Sequence, residues 1–179
     1  MTVEQFRRWP GDGTDARYDL VDGEPVMQAA ASPEHNAIQG NLVTLINNAL
    51  RDRRPCRALP EARIARSPRH HNERTADVAV TCQPPVRGAL IEPAVVIEIL
   101  SPSNRAETLA KLPFYGGFAC IREIVLVESE RIGVRVYRRE AGADWLDTPA
   151  DQPGPGEMLM LHAIGVGIAV QDIYLDVPL

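Results

Sequence analysis

The segment "PAVVIEIL", residues 93–100, constrains this chain more than any other. Six of the seven residues from Ala94 to Leu100 are apolar. Strand alternation puts Val95, Ile97 and Ile99 on one face, and Val96, Glu98 and Leu100 on the other. A short run that is apolar on both faces predicts a strand buried on both sides, in a sheet covered by helices. Glu98 interrupts it. A carboxylate is almost never fully buried unless it is paired or bound to a metal, because the ionised group loses its hydration.

The pattern around this strand sets the fold class. "VEQFRRW" reads as a short helix, and residues 1–16 form an N-terminal helical extension of one domain spanning 1–179. "RYDLVDGEPVMQA" reads as two strands joined at Asp22-Gly23, a favoured hairpin dipeptide. In "SPEHNAIQGNLVTLINNALRDRR", Ser32 suits the N-cap, Pro33 the first helical position and Glu34 the dipole. Ile38, Leu42, Leu45, Ile46, Ala49 and Leu50 make one apolar stripe at helical spacing. Strands are predicted in "CRALPEARIARS", "TADVAVTC", "REIVLVES" and "RIGVRVYRRE", with short strands closing the core from Glu157 onward. "SPSNRAETLAKLPFYGG" reads as a helix with Asn104 as N-cap, Glu107 at capping-box spacing and Pro113 as a kink. This order predicts an α/β fold bordering on α+β, with a mixed central β-sheet flanked by helices.

Asp77, in "TADVAV", lies 21 residues before Glu98 and is the only charge between Thr75 and Arg87. Two strands thus each carry one carboxylate in an apolar setting. Such a pair raises each other's pKa unless a cation sits between them. A hard divalent ion, Mg2+ or Mn2+, binds through one or two carboxylates, waters and substrate phosphate oxygens, and polarises a phosphodiester. The chain has 19 basic residues, eighteen Arg and the single Lys111, which falls 13 residues after Glu98. An ammonium in such a site acts as acid, base or water-orienter, which a guanidinium cannot. Lys111 and Tyr115 share a helix face.

"YDLVDGEPV", "SPEH", "ADVAV", "VVIEILSPSN" and "AKLPFY…REIVLV" resemble, in that order, the successive motifs of the Uma-type restriction endonuclease family. That family belongs to the PD-(D/E)XK nuclease superfamily, and the similarity runs from about residue 17 to the C-terminus. The resemblance implies a restriction-endonuclease-like core, a metal-dependent endonuclease activity and DNA as partner. It implies Asp77 and Glu98 as metal-binding carboxylates, with the Ile99 carbonyl as a further ligand. The superfamily's Lys normally lies two residues after the second acid; here Leu100 stands there, and Lys111 matches the family's displaced Lys. Glu24 and His35 match polar positions of the first two motifs, and Ala76 replaces the superfamily's Pro.

Net charge is −5, against permanent residence on nucleic acid, but residues 51–74 carry eight Arg against three acids. Arg51, Arg53, Arg54, Arg63 and Arg66 are candidate phosphate contacts, or else a solvated helix end and hairpin. His35 can serve a phosphate, a water or only the helix start, and Glu24 can be a solvated turn acid. Glu61 can face solvent, pair with an Arg or reach the site. His70-His71 in a polar turn make a poor metal site, and His162 reads as a core or edge histidine. Cys56, Cys82 and Cys120 are too dispersed to suggest a disulfide framework or a zinc site, so a reduced cytoplasmic protein is expected. No apolar run is long enough for a membrane span, and no signal-peptide core opens the chain. A homodimer would supply two sites for two DNA strands. Two alternatives stay open. One is a nuclease-fold module without turnover that binds nucleic acid or a protein; the other is a metal-free two-carboxylate hydrolase, which needs an aromatic-lined pocket.

Overall fold

The computed structural model describes residues 1–179. Seven strands make one mixed sheet: β1 (Tyr18–Val21), β2 (Glu24–Met27), β3 (Arg57–Ala65), β4 (Glu73–Thr81), β5 (Val95–Leu100), β6 (Glu123–Glu128) and β7 (Val134–Arg138). All pairs are antiparallel except β5–β6, whose crossover is the helix α3 (Arg105–Gly116). A shorter helix, α1 (Val3–Phe6), precedes the sheet, and α2 (Pro33–Ala49) links β2 to β3. The chain closes with the hairpin β8 (Met158–Leu161) and β9 (Val166–Ala169), then one helical turn, α4 (Val170–Ile173), where the sequence suggested only strands.

The alternation of β5 builds two cores. Val95, Ile97 and Ile99 pack with Ile38, Leu42 and Ile46 of α2 and with the β8–β9 hairpin. On the other face, Val96 and Leu100 pack with Ile124, Leu126 and Tyr115 of α3. Each of the three α2 side chains is fully buried, which stabilises the fold by about 1.5–3 kcal/mol apiece. Ser32 caps α2 through His35 N–H. The Asp22-Gly23 hairpin forms with both residues at positive φ, as a two-residue turn of this type requires.

Three expectations are corrected. Cys56 and Cys82 form a disulfide, because they sit one step beyond the Arg57–Thr81 pair of the β3–β4 ladder; sequence dispersion does not separate cysteines on paired strands. Asn104 does not cap α3 with its side chain. It turns back, accepting from Ser101 N–H and donating to the Ile99 carbonyl at 3.1 Å. His162 is exposed, in the turn of the β8–β9 hairpin. Pro113 sits inside α3, which nevertheless continues to Gly116.

The β6–β7 turn is fastened by Tyr174, whose hydroxyl lies 3.0 Å from the carbonyls of Glu128 and Gly133 and accepts from Gly133 N–H. Tyr174→Phe leaves that N–H unpaired and is expected to cost about 1–2 kcal/mol in urea denaturation at neutral pH. Burial pushes the phenol up to about 12. Above pH ~10 the unfolded chain loses this proton while the folded one keeps it, so wild-type stability falls with rising pH. The gap between wild type and Tyr174→Phe should therefore narrow above pH ~10.

Candidate active site

One edge of β4 is taken along its length by β3. The other edge is shared: β1 pairs at Leu20–Glu73, and β5 pairs from Val78–Ile97 onward. Between these contacts the sheet forks, leaving Thr75 and Asp77 of β4 without strand partners on that side. Buried peptide groups need substitutes, and side chains provide them. Asp19 Oδ1 accepts from Thr75 N–H at 2.8 Å, and Asp77 Oδ2 accepts from Ile99 N–H at 2.7 Å. The Thr75 carbonyl accepts from Lys111 Nζ at 3.0 Å and from the Tyr115 hydroxyl at 3.3 Å. The fork in the sheet is thus the reason the polar residues meet.

Glu98 is fully buried at this fork. Tyr115 donates to its Oε1 at 2.6 Å, while Oε2 has no hydrogen-bond partner and lies 3.7 Å from Lys111 Nζ. Burial first, and the neighbouring Asp77 second, push the Glu98 carboxyl well above the usual carboxylate range, against the pull of Lys111 and Tyr115. Burial works against the Lys111 ammonium too, but Glu98, Asp19 and Asp77 outweigh it and hold its pKa up. Burial and Glu98 likewise raise the Tyr115 phenol, which stays a donor. His35, buried at the start of α2, brings Nε2 to 3.2 Å from Asp77 Oδ2, and its Nδ1 has no partner. With Nε2 carrying the proton, Nδ1 is a free acceptor.

His35, Asp77 and Lys111 open into a cavity of about 610 Å³ that Glu61, Thr75 and Glu107 also line, while Glu98 and Ile99 lie behind that lining. No Phe, Tyr or Trp lines it, which removes the aromatic pocket that a metal-free two-carboxylate sugar hydrolase needs. No three His, Cys, Asp or Glu side chains form a metal cage. The donor set nonetheless suits a hard cation: an orphaned, buried carboxylate oxygen on Glu98 close to Asp77, whose own side chain lines a cavity with room for waters and a phosphate. The Ile99 carbonyl has one lone pair engaged by Asn104 and a second available.

Of the residues expected from sequence, Asp77, Glu98, Lys111 and His35 are brought together. Glu24 is not; it is exposed on the edge strand β2 and does not line the cavity. Arg51, Arg53 and Arg54 follow the C-terminus of α2, about 25 Å of helix away from His35. Arg53 donates to the carbonyls of Ile164 and Gly165. Arg63 packs over Phe6 and Arg66 over Phe118, and neither lines the cavity. Arg51 and Arg54 are exposed, and none of these five arginines lines the cavity. Sequence reasoning missed Asp19, which is buried, 3.9 Å from Lys111 and held by Gln28 at 2.6 Å. Its signal was the one that marked Glu98, a lone acid within a predicted strand.

The "Uma2: Putative restriction endonuclease" family model matches residues 3–171. The chain belongs to the Uma2 family. The crystal structure of a putative nuclease of the DUF820 group from Anabaena variabilis is similar to this Uma2 chain, with a TM-score of 0.72 at 19% identity over 98% of each chain. The α/β fold with its mixed sheet is therefore shared with that protein. No curated protein matches this Uma2 chain. No helix is long and apolar enough to cross a membrane.

Proposed function

We propose that this Uma2 chain is a single-domain, metal-dependent endonuclease that hydrolyses nucleic-acid phosphodiesters, with DNA as substrate and Mg2+ or Mn2+ as cofactor. The observation that carries the reading is Glu98: a wholly buried carboxylate with one oxygen unpartnered, beside Asp77 and 3.7 Å from the chain's only Lys. The family description and the nuclease of similar fold support it.

Asp77 and Glu98 would hold the cation, with the Ile99 carbonyl as a further ligand. A divalent ion there supplies Lewis-acid polarisation of the scissile phosphate. The protein's own groups do the rest. Ile99 N–H and His35 Nε2 fix the Asp77 carboxylate, and Tyr115 holds Glu98 Oε1 while Oε2 is left without a partner. Lys111, anchored on Thr75 O, offers its remaining N–H donors to the attacking water and to the charge that builds on phosphorus oxygens. A cytoplasmic setting, where DNA is met, goes with this activity. A homodimer would place two such sites on a duplex.

The test is a titration of Mg2+ and Mn2+ read by thermal unfolding. Wild type should gain several degrees at saturating metal, by mass action on the folded state, and Asp77→Asn should gain little. An equal gain in both proteins would contradict the site.

A further inference from the structure

The cavity has a second set of polar groups that the proposed chemistry does not use. Glu61, inside the nine-residue strand β3, has φ +49. The other two non-glycine residues at positive φ are Asp22, in a hairpin turn, and Asp176, near the C-terminus. A left-handed side-chain-bearing residue within a strand is strained, and Gly or Asn would relieve it. The strain sits opposite the site: the ladder pairs Pro60 with Val78 and Ala62 with Ala76, and skips Glu61 and Asp77. Both strands change faces there. Val78 and Val80 join the α2 core, whereas Ala76 and Ala62 join the other.

A strained backbone alone would not call for a carboxylate. The Glu61 carboxylate is used on both oxygens. Gln39 donates to Oε1 at 2.9 Å and, through the same nitrogen, to the Asp77 carbonyl at 2.8 Å. Arg17 Nη1 meets Oε2 at 2.5 Å. Arg17 and Lys111 are the only Arg or Lys in the cavity lining. Lys111 is anchored on Thr75 deep in the cavity, near Glu98 and Asp19, with a side chain 9% exposed, whereas the Arg17 side chain is 68% exposed. One nitrogen of its guanidinium is held, and its other N–H groups are left to solvent. An exposed ion pair of this kind adds little stability, so its worth lies in orienting the guanidinium.

We propose that Arg17, oriented by Glu61, is the phosphate-backbone contact at the mouth of this cavity, gripping the nucleic-acid strand beside the scissile bond. The assignment rests on the nuclease reading above and places a guanidinium in the cavity lining, where none of Arg51, Arg53, Arg54, Arg63 and Arg66 stands. It makes Arg17 a substrate-binding residue and Glu61 a positioning residue, tied to Asp77 through Gln39. A cation suits the task because its charge and its solvent-facing N–H groups meet phosphate oxygens.

The test compares wild type, Arg17→Ala, Arg17→Lys and, as control, Arg87→Ala, in the loop between β4 and β5 at the far end of the sheet. Cleavage of a short DNA duplex with Mg2+ gives kcat and KM. Anisotropy of the same duplex in Ca2+, which takes similar oxygen ligands, gives affinity against salt. Arg17→Ala should raise KM and Kd about tenfold, leave kcat within about threefold, and reduce the salt slope by about 0.9, one phosphate contact. Arg17→Lys should restore the slope and most of the affinity, and Arg87→Ala should match wild type. Wild-type affinity and slope in Arg17→Ala would overturn the assignment while leaving the nuclease reading intact. So would a fall in kcat at unchanged KM, or a Lys variant as weak as Ala. A wild-type protein that neither binds nor cuts nucleic acid would overturn the nuclease reading and this assignment with it.

Discussion

Glu98→Gln is expected to give a folded protein whose DNA cleavage falls by roughly a thousandfold, the loss of about 4 kcal/mol of charge stabilisation at the reacting phosphate. The amide nearly matches the carboxyl in shape and still accepts from Tyr115. Burial and Asp77 favour the neutral form of Glu98, and Gln imitates that form. Metal-free stability, measured in urea with EDTA, should therefore stay within about 1 kcal/mol of wild type, since truncation and a new cavity are both avoided. The stabilisation given by Mn2+ should disappear. Activity, metal response and stability thus separate in one variant. Loss of all three would mean Glu98 is only a core residue badly replaced, and cleavage within tenfold of wild type would remove it from the chemistry.

Lys111→Met is expected to act on both stability and rate. It removes the ammonium from between Glu98 at 3.7 Å and Asp19 at 3.9 Å, both nearly inaccessible to solvent. Stripping one partner from a buried charge cluster costs about 3–5 kcal/mol, less whatever the carboxylates recover by taking up protons. A metal-free loss of about 3 kcal/mol in urea denaturation is the expected value. Added Mn2+ should raise the thermal midpoint of this variant by more than it raises wild type, because the ion supplies the missing positive charge without repulsion from Lys111. Cleavage should nonetheless stay at least about a hundredfold down, as expected when a positioned donor to a developing charge is lost. A solvated surface Lys would change neither quantity.

Much of this site was legible because each key residue broke a local pattern. Glu98 interrupted an apolar strand, Asp77 was the lone charge of its run, and Lys111 was the only Lys among eighteen Arg. Such exceptions survive reading in one dimension. The α/β order was readable for a similar reason: the Ser32 cap, the stripe from Ile38 to Leu50 and the Asp22-Gly23 turn are local signals. What escaped depends on pairing between distant segments. Asp19 reaches Lys111 only because β1 takes part of a β4 edge that β5 leaves free. Glu61 matters through a backbone angle and through Gln39 and Arg17, none of which a residue pattern reveals. Cys56 and Cys82 meet through ladder register. Charge density along 51–66 likewise does not say that Arg63 lies over Phe6, Arg66 over Phe118 and Arg53 against the Ile164 carbonyl.

The most direct measurement is cleavage of supercoiled, linear and single-stranded DNA by wild type, with Mg2+, with Mn2+ and with EDTA, beside Asp77→Asn. A metal-dependent endonuclease centred on Asp77 and Glu98 predicts cutting of at least one substrate with a divalent ion, none with EDTA, and at least about a hundredfold less with Asp77→Asn. Wild type inert on every substrate, cutting undiminished by EDTA, or Asp77→Asn cutting as wild type does would contradict it.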